Sequence, residues 1–154
     1  MKTYKVIKSN IHRKGLCAVR NIKKGERIIE YRGKKITHKQ ADEDTKYGNK
    51  ITYLFTLDNK YLLDGDFEFN KARLINHSCN PNCEALDESN SEIWITAMRD
   101  IKKNEELSYD YGFSFDCNYK DHICKCESKN CVGYIVREGS RWRLKKQKNH
   151  ENSQ

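Results

Sequence analysis

Asn76-His77-Ser78-Cys79-Asn80-Pro81-Asn82-Cys83 decides how this chain is read. Asn, Ser and the chain's one proline are turn chemistry, and the octapeptide sets amides, an imidazole and two thiols into that turn. Outwards from it, Glu106-Leu107-Ser108-Tyr109-Asp110-Tyr111 places two tyrosines at alternate positions. Further on, Cys124-x-Cys126-x4-Cys131 crowds three thiols at metal-ligand spacing. A zinc ion takes four such ligands in a tetrahedron, so three close cysteines need one more. Cys79, Cys83, Cys117 and His122 are the candidates.

The 154 residues suffice for one domain around one core, and 36% hydrophobic content leaves no room for a second sizeable one. No apolar run approaches the ~18 residues of a membrane span, so no membrane partner is expected. Met1-Lys2-Thr3-Tyr4-Lys5 opens without the apolar stretch of a secretory signal, which predicts an intracellular, reducing location. Seven cysteines there read as thiols or metal ligands rather than disulfides. The net charge is +8, and half of it comes from Arg137 onward: Arg137, Arg141, Arg143, Lys145, Lys146 and Lys148 against Glu138 and Glu151. Such a tail reads as a solvated end, and nucleic-acid contact is the use it offers.

The apolar patterns are short. Tyr4–Lys8, Leu16–Val19, Arg27–Tyr31, Ile51–Leu57, Tyr61–Asp64 and Glu92–Met98 predict strands. Thr37-His38-Lys39-Gln40 is a capping box that opens a short helix ending before Tyr47-Gly48, and residues 70–75 predict another short helix. Residues 20–28 echo residues 99–107: each has a buried Ile, a basic turn with Gly25 or Asn104, and a following strand. Two similar corners are expected rather than a repeat.

Taken together, these motifs resemble a SET-domain protein lysine methyltransferase with a cysteine-rich post-SET tail. Ser9–Ala18 resembles the family's first cofactor segment, and Glu30-Tyr31-Arg32-Gly33 the strand that ends in an active-site tyrosine. Tyr53–Asp58 and Leu63–Gly65 resemble the next two strands, and Asn70–Cys79 the pseudoknot strand and turn. The resemblance implies a mostly β fold: small curved sheets, a pseudoknot, short helices and a zinc-clamped C-terminal segment. It divides the chain into a SET domain (1–115), a post-SET zinc-binding segment (116–136) and a basic tail (137–154), a minimal form without the family's pre-SET module.

The same resemblance implies the chemistry. The co-substrate is S-adenosylmethionine, held by His12, Lys14, Gly15, Leu16, Tyr53, Arg73, Asn76 and His77, with Phe115 (or Phe113) stacked on the adenine. Tyr111 is the catalytic tyrosine, Tyr109 occupies the product-specificity position, and Tyr31 helps wall the lysine channel. Tyrosine at 109 implies mono- or dimethylation. Cys79 completes a zinc site with Cys124, Cys126 and Cys131, which leaves Cys17, Cys83 and Cys117 over. The substrate implied is a histone tail, and the location nucleus or chromatin. A basic substrate asks for an acidic groove, for which Asp42, Glu43, Asp44, Asp64, Asp66 and Glu68 are candidates. Two positions depart from the pattern. Arg13 stands where the family usually has glycine, so a positive φ there would be strained. Cys17 replaces a usual phenylalanine or tyrosine. The alternative reading is a catalytically inactive SET module that binds peptide or nucleic acid.

Overall fold

Runs of Ile, Leu, Tyr and Phe broken every few residues by Lys, Gly, Asn or Asp make short strands. The computed structural model describes residues 1–45, 53–88 and 92–145, and its strands form four small sheets. β1 (Tyr4–Lys8) and β2 (Lys14–Ala18) form an antiparallel hairpin. β3 (Arg27–Tyr31), β8 (Cys83–Glu88) and β9 (Glu92–Ala97) pair antiparallel in the order β3-β9-β8. β4 (Lys34–Thr37), β5 (Leu54–Thr56) and β6 (Tyr61–Asp64) pair antiparallel as β4-β6-β5. β7 (Asn76–His77) and β10 (Ser108–Tyr109) pair in parallel, Asn76 against Ser108 and His77 against Tyr109. The two motif segments are thereby neighbours. The fold is mostly β with short helices, as expected.

β1, β3 and β6 have the predicted bounds. β5 begins at Leu54, and the start of that predicted strand, at 51–52, lies outside the described residues. The capping box forms: the Thr37 hydroxyl accepts from the Gln40 N–H at 3.0 Å, and the Gln40 side chain accepts from the Thr37 N–H at 2.9 Å. Its helix, α1 (His38–Glu43), stops at an extended Asp44. The helix thus ends before Tyr47, as expected. The predicted helix at 70–75 is a 3-10 helix, Lys71–Leu74.

β4 and β8 are strands the sequence patterns did not predict. Each is a sheet-edge strand with one buried side chain, Ile36 or Cys83, so neither alternates cleanly.

The two echoing corners face each other. Ile22 and Ile101 exchange both backbone hydrogen bonds at 2.8 Å. Gly25 (φ 84°) and Asn104 (φ 72°) take the left-handed turn conformation. In each corner an arginine, Arg20 or Arg99, pairs with a glutamate six residues on, Glu26 or Glu105. The main core gathers Leu16, Ile22, Ile75, Ile95, Ile101 and Leu107, each at most 1% exposed, around Tyr31 and Tyr109. A separate small core, Val132, Val136 and Leu144, serves the C-terminal segment. Among the described residues no helix is long and apolar enough to cross a membrane.

Candidate active site

The site begins with one amide. Asn76 is buried in β7, and its Nδ2 lies 3.0 Å from Ser9 Oγ, 3.2 Å from the His12 carbonyl, 3.0 Å from the Lys14 carbonyl and 3.2 Å from Glu106 Oε1. The Ser9 hydroxyl donates to the same Glu106 oxygen at 2.5 Å. The loop between β1 and β2 is thus hung on β7 by side chains. Gly15 makes this arrangement possible. A Cβ there would sit 2.5 Å from Glu106 Oε1 and 3.1 Å from Ser9 Cβ, so the carboxylate occupies the space beside Gly15. Asn82 performs the equivalent task one layer down: it donates to the Glu106 carbonyl at 2.8 Å and accepts from the Ser108 N–H at 2.9 Å. The sequence reading assigned no role to Ser9, Asn82 or Glu106. Each is an ordinary polar residue whose partners are distant in sequence.

The parallel β7–β10 pairing carries the tyrosines to the same place. His77 Nδ1 accepts from the Tyr111 N–H at 3.1 Å, which leaves the proton of a neutral ring on Nε2, 3.7 Å from Cys79 Sγ. The Tyr111 hydroxyl donates to the Ile75 carbonyl at 2.6 Å, and the Tyr31 hydroxyl to the Tyr53 carbonyl at 3.0 Å. The Tyr109 ring lies between, 4.9 Å from Tyr111 and 5.9 Å from Phe55, and Phe55 in turn meets the Tyr31 ring edge-on at 4.5 Å. Phe55 is a member of this aromatic wall that sequence reasoning missed, hidden among the apolar residues of its strand. A Cβ at Gly65 would come within 2.2 Å of the Tyr31 ring, so only glycine lets that ring sit where it does. Burial raises all three phenol pKa values above the ordinary range, so all three hydroxyls remain neutral donors.

A cavity of about 640 Å³ opens beside Tyr111. One wall is the loop and β7 side: His12, Arg13, Lys14, Tyr53, Arg73, Asn76 and His77. The other is the C-terminal segment, Asp121 to Lys125 with Ile135. Six of the nine predicted cofactor residues therefore line one cavity. Gly15 and Leu16 stand behind it, Leu16 with no exposed surface. Phe115 does not line it. Its ring packs on Tyr119 at 4.6 Å, and the Arg143 guanidinium lies 5.5 Å from its centroid. Phe113 instead bridges Tyr111 and His122. Arg73 presents a buried Nε with no hydrogen-bond partner among the described residues, and an Asp66 carboxylate oxygen lies 3.7 Å from its Nη1. Such a donor suits an anionic group entering the cavity. Arg13, the arginine that stands where the family usually has glycine, has φ 42°, the left-handed conformation that glycine would take without strain.

The four sulfurs of Cys79, Cys124, Cys126 and Cys131 lie within 4.8 Å of one another, and Cys79 and Cys124 are 3.9 Å apart. A tetrahedron of ~2.3 Å zinc–sulfur bonds needs sulfurs about 3.8 Å apart, so the four thiols can hold one metal ion. Backbone N–H groups of Cys79 and Gly133 point at Cys126 and Cys131, each at 3.4 Å. The Cys124 S–H, then His77, hold the Cys79 thiol below its ordinary range, while Cys124 keeps its proton. Of the leftover cysteines, Cys17 and Cys83 are buried and Cys117 is exposed. Burial pushes the Cys83 thiol up to about 12.

The acidic candidates do not form one surface. Asp64 is 2% exposed and caps the Asp66 N–H, whereas Asp42, Glu43 and Asp44 stand exposed on and after α1. The tail is not all solvated: Ser140, Arg141 and Leu144 are buried, and residues 146–154 lie outside the described residues.

Comparison with known proteins agrees with this architecture. A profile of the SET domain matches residues 13–112. The H3 lysine-4 specific histone-lysine N-methyltransferase of Neurospora crassa is 39% identical over 142 residues, 87% of this chain and 11% of that protein. The corresponding protein of Candida albicans is 39% identical over 136 residues, 83% of this chain and 13% of its own. The histone-lysine N-methyltransferase trithorax of Drosophila virilis is 38% identical over 145 residues, 87% of this chain and 4% of that protein. The chain spans a small part of each relative's length. The matched stretch holds β7, β10, both tyrosines and Asn76, and on that match the chain belongs to the SET domain family.

Proposed function

We propose that this SET domain is a protein-lysine N-methyltransferase that takes its methyl group from S-adenosylmethionine. One observation carries the reading: at Tyr111 the cavity walled by Asn76 and His77 meets the aromatic cluster of Tyr31, Phe55 and Tyr109. The cavity would take the methyl donor and the aromatic side the lysine chain.

Bound there, S-adenosylmethionine would supply a methyl group on a sulfonium: a neutral amine would attack the methyl carbon in line as the S–CH3 bond breaks, with the neutral thioether S-adenosylhomocysteine as leaving group. No covalent intermediate on the protein is needed, so the residues position and desolvate. Arg73, with Lys14 and His12, would hold the carboxylate of the methionine half. Asn76 and His77 would fix the adenine side, with Gly15, Leu16 and Phe115 supporting the walls from behind. Tyr31, Tyr109 and Phe55 would strip water from the incoming lysine and lower its pKa from about 10.4. The neutral tyrosines do not act as tyrosinate bases, so the amine proton leaves through water. The Tyr111 hydroxyl is anchored on the Ile75 carbonyl, and its oxygen would face the methyl for weak CH···O contacts. Tyr109 would crowd the amine and favour mono- or dimethylation. Cys79, Cys124, Cys126 and Cys131 would hold a zinc ion with no open position, a structural role.

The relatives' names point to a histone tail as substrate and hence to a chromatin location. Exposed Arg143 and Lys145, with the basic residues after them, would add contact to nucleic acid.

The test is transfer of radiolabelled methyl to core histones and to a whole-cell extract, wild type beside Tyr111→Phe. Label lost by a factor on the order of 100 in the variant is expected, because the ring loses its anchor on the Ile75 carbonyl and its oxygen beside the methyl. No label from folded, zinc-loaded wild type on either pool overturns the reading in favour of a binding module.

A further inference from the structure

Arg141 is the most completely buried cation among the described residues, its side chain 6% exposed, and every guanidinium nitrogen has a partner. Nε donates to the Val136 carbonyl at 2.9 Å, Nη1 to the Cys79 carbonyl at 2.9 Å and Nη2 to Asp110 Oδ2 at 2.8 Å. These acceptors belong to three different parts of the chain. Val136 is in the small C-terminal core, Cys79 is a thiol of the metal cluster, and Asp110 stands between Tyr109 and Tyr111.

Asp110 is itself fully engaged. Its Oδ2 also accepts the Glu138 N–H at 3.0 Å, and its Oδ1 accepts the Gly112 N–H at 2.9 Å and lies 3.8 Å from His77 Nδ1. A partly buried carboxylate that accepts one arginine N–H and two backbone N–H groups has one low-energy place to be. The peptide that leads into Tyr111 is therefore held on one side by His77, through the Tyr111 N–H, and on the other by Arg141, through Asp110. Phe115, Tyr119 and Tyr134 pack against the cluster of Val132, Val136 and Leu144, which keeps the segment bearing Arg141 in place. A charge this deep is stable only while its partners stay put, which makes the contact a device for registry more than for stability.

We propose that Arg141 is a positioning residue for the methyl transfer, locking the C-terminal segment and the metal-cluster turn to the strand that presents Tyr111. The inference rests on the methyltransferase reading above. It goes beyond that reading by placing a determinant of turnover outside the cavity, in what the sequence presents as a charged tail.

The experiment compares Arg141→Lys and Arg141→Gln with wild type as full chains of equal zinc content. Lysine is expected to fail with glutamine, because an ammonium cannot span a carbonyl and a carboxylate as the planar fork does. Both variants should lose about 10- to 100-fold in kcat, with KM for S-adenosylmethionine within about twofold and circular dichroism unchanged. Unchanged kcat in folded, zinc-loaded Arg141→Gln overturns the proposal. So does a rise in KM alone, which would make Arg141 a support of the cavity wall and not of Tyr111. If both variants fail to fold, Asp110→Asn removes the same ion pair at almost constant volume and must reproduce the kcat loss. If wild type transfers no methyl, amide hydrogen exchange decides: faster exchange at Tyr111 and Glu138 in Arg141→Gln sustains the positioning role, and unchanged exchange ends it.

Discussion

The two walls of the cavity are built by different physics. The wall of His12 to Lys14, Arg73, Asn76 and His77 grows out of paired strands and the main core, with Leu16 and Ile75 buried directly behind it. The facing wall, Asp121 to Lys125 with Ile135, has almost no regular structure: a three-residue 3-10 helix (Tyr119–Asp121) and one isolated bridge between Ile123 and Tyr134. Its three buried aliphatic residues are too few to hold it alone. It depends on four thiols and on Arg141. One wall should therefore survive treatments that dissolve the other.

Metal removal should give the largest effect. Chelation, or Cys126→Ser, should abolish methyl transfer and open the second wall, because binding energy at such a site is folding energy, about 10–16 kcal/mol in small zinc modules. Trypsin should then cut at Lys120, Lys125 and Lys129, while the strands of the main core keep their far-ultraviolet signal. Simultaneous loss of both would show that the walls fold as one unit.

Asn76→Ala attacks the other wall. Its amide joins Ser9, His12, Lys14 and Glu106, and unpairing these costs about 1–3 kcal/mol. S-adenosylmethionine affinity, by calorimetry, should fall about 10- to 100-fold with zinc content unchanged. Gly15→Ala should act the same way by displacing Glu106. Zinc lost together with affinity would mean that the loop wall also supports the metal cluster.

Tyr109→Phe touches neither wall. The rate should change little, while mass spectrometry should find the product moved toward higher methylation. Substantial trimethyl product from wild type would remove Tyr109 from that role.

The same division governs what the sequence discloses. β1, β3, β6 and the Thr37 capping box follow from local chemistry, and they were legible. β4 and β8 were not: Lys34-Lys35 become strand through β6, far along the chain, and Glu84, Asp87 and Glu88 through β9, the strand that follows. In the site, the motif residues Asn76, His77 and Tyr111 gather around one cavity. Ser9, Asn82 and Glu106 stayed silent because their meaning is a partner 24 to 97 residues away. Arg141 was concealed differently. It sits in a run of like charges that reads as a solvated end, and its burial is explained by the carboxylate of Asp110, 31 residues earlier, together with the carbonyls of Cys79 and Val136.

Arg13 offers the finest cut between the walls. Its φ of 42° costs a non-glycine residue about 1–2 kcal/mol, while glycine would add about 0.5–1 kcal/mol of unfolded-state entropy. Arg13→Gly should therefore be stabilising by up to about 1.5 kcal/mol in thermal melts. The turn itself persists, since the Ser9 N–H bonds the residue-13 carbonyl whatever the side chain. Arg13→Ala keeps the strain and removes the charge from the cavity edge. If both variants bind S-adenosylmethionine as wild type does, the arginine is a tolerated strain. If Ala and Gly weaken binding equally while only Gly raises the melting temperature, the guanidinium is a ligand and its strain is maintained for function. A Gly variant less stable than wild type would instead show that the Arg13 side chain holds the loop, and that this wall too relies on a contact outside its strands.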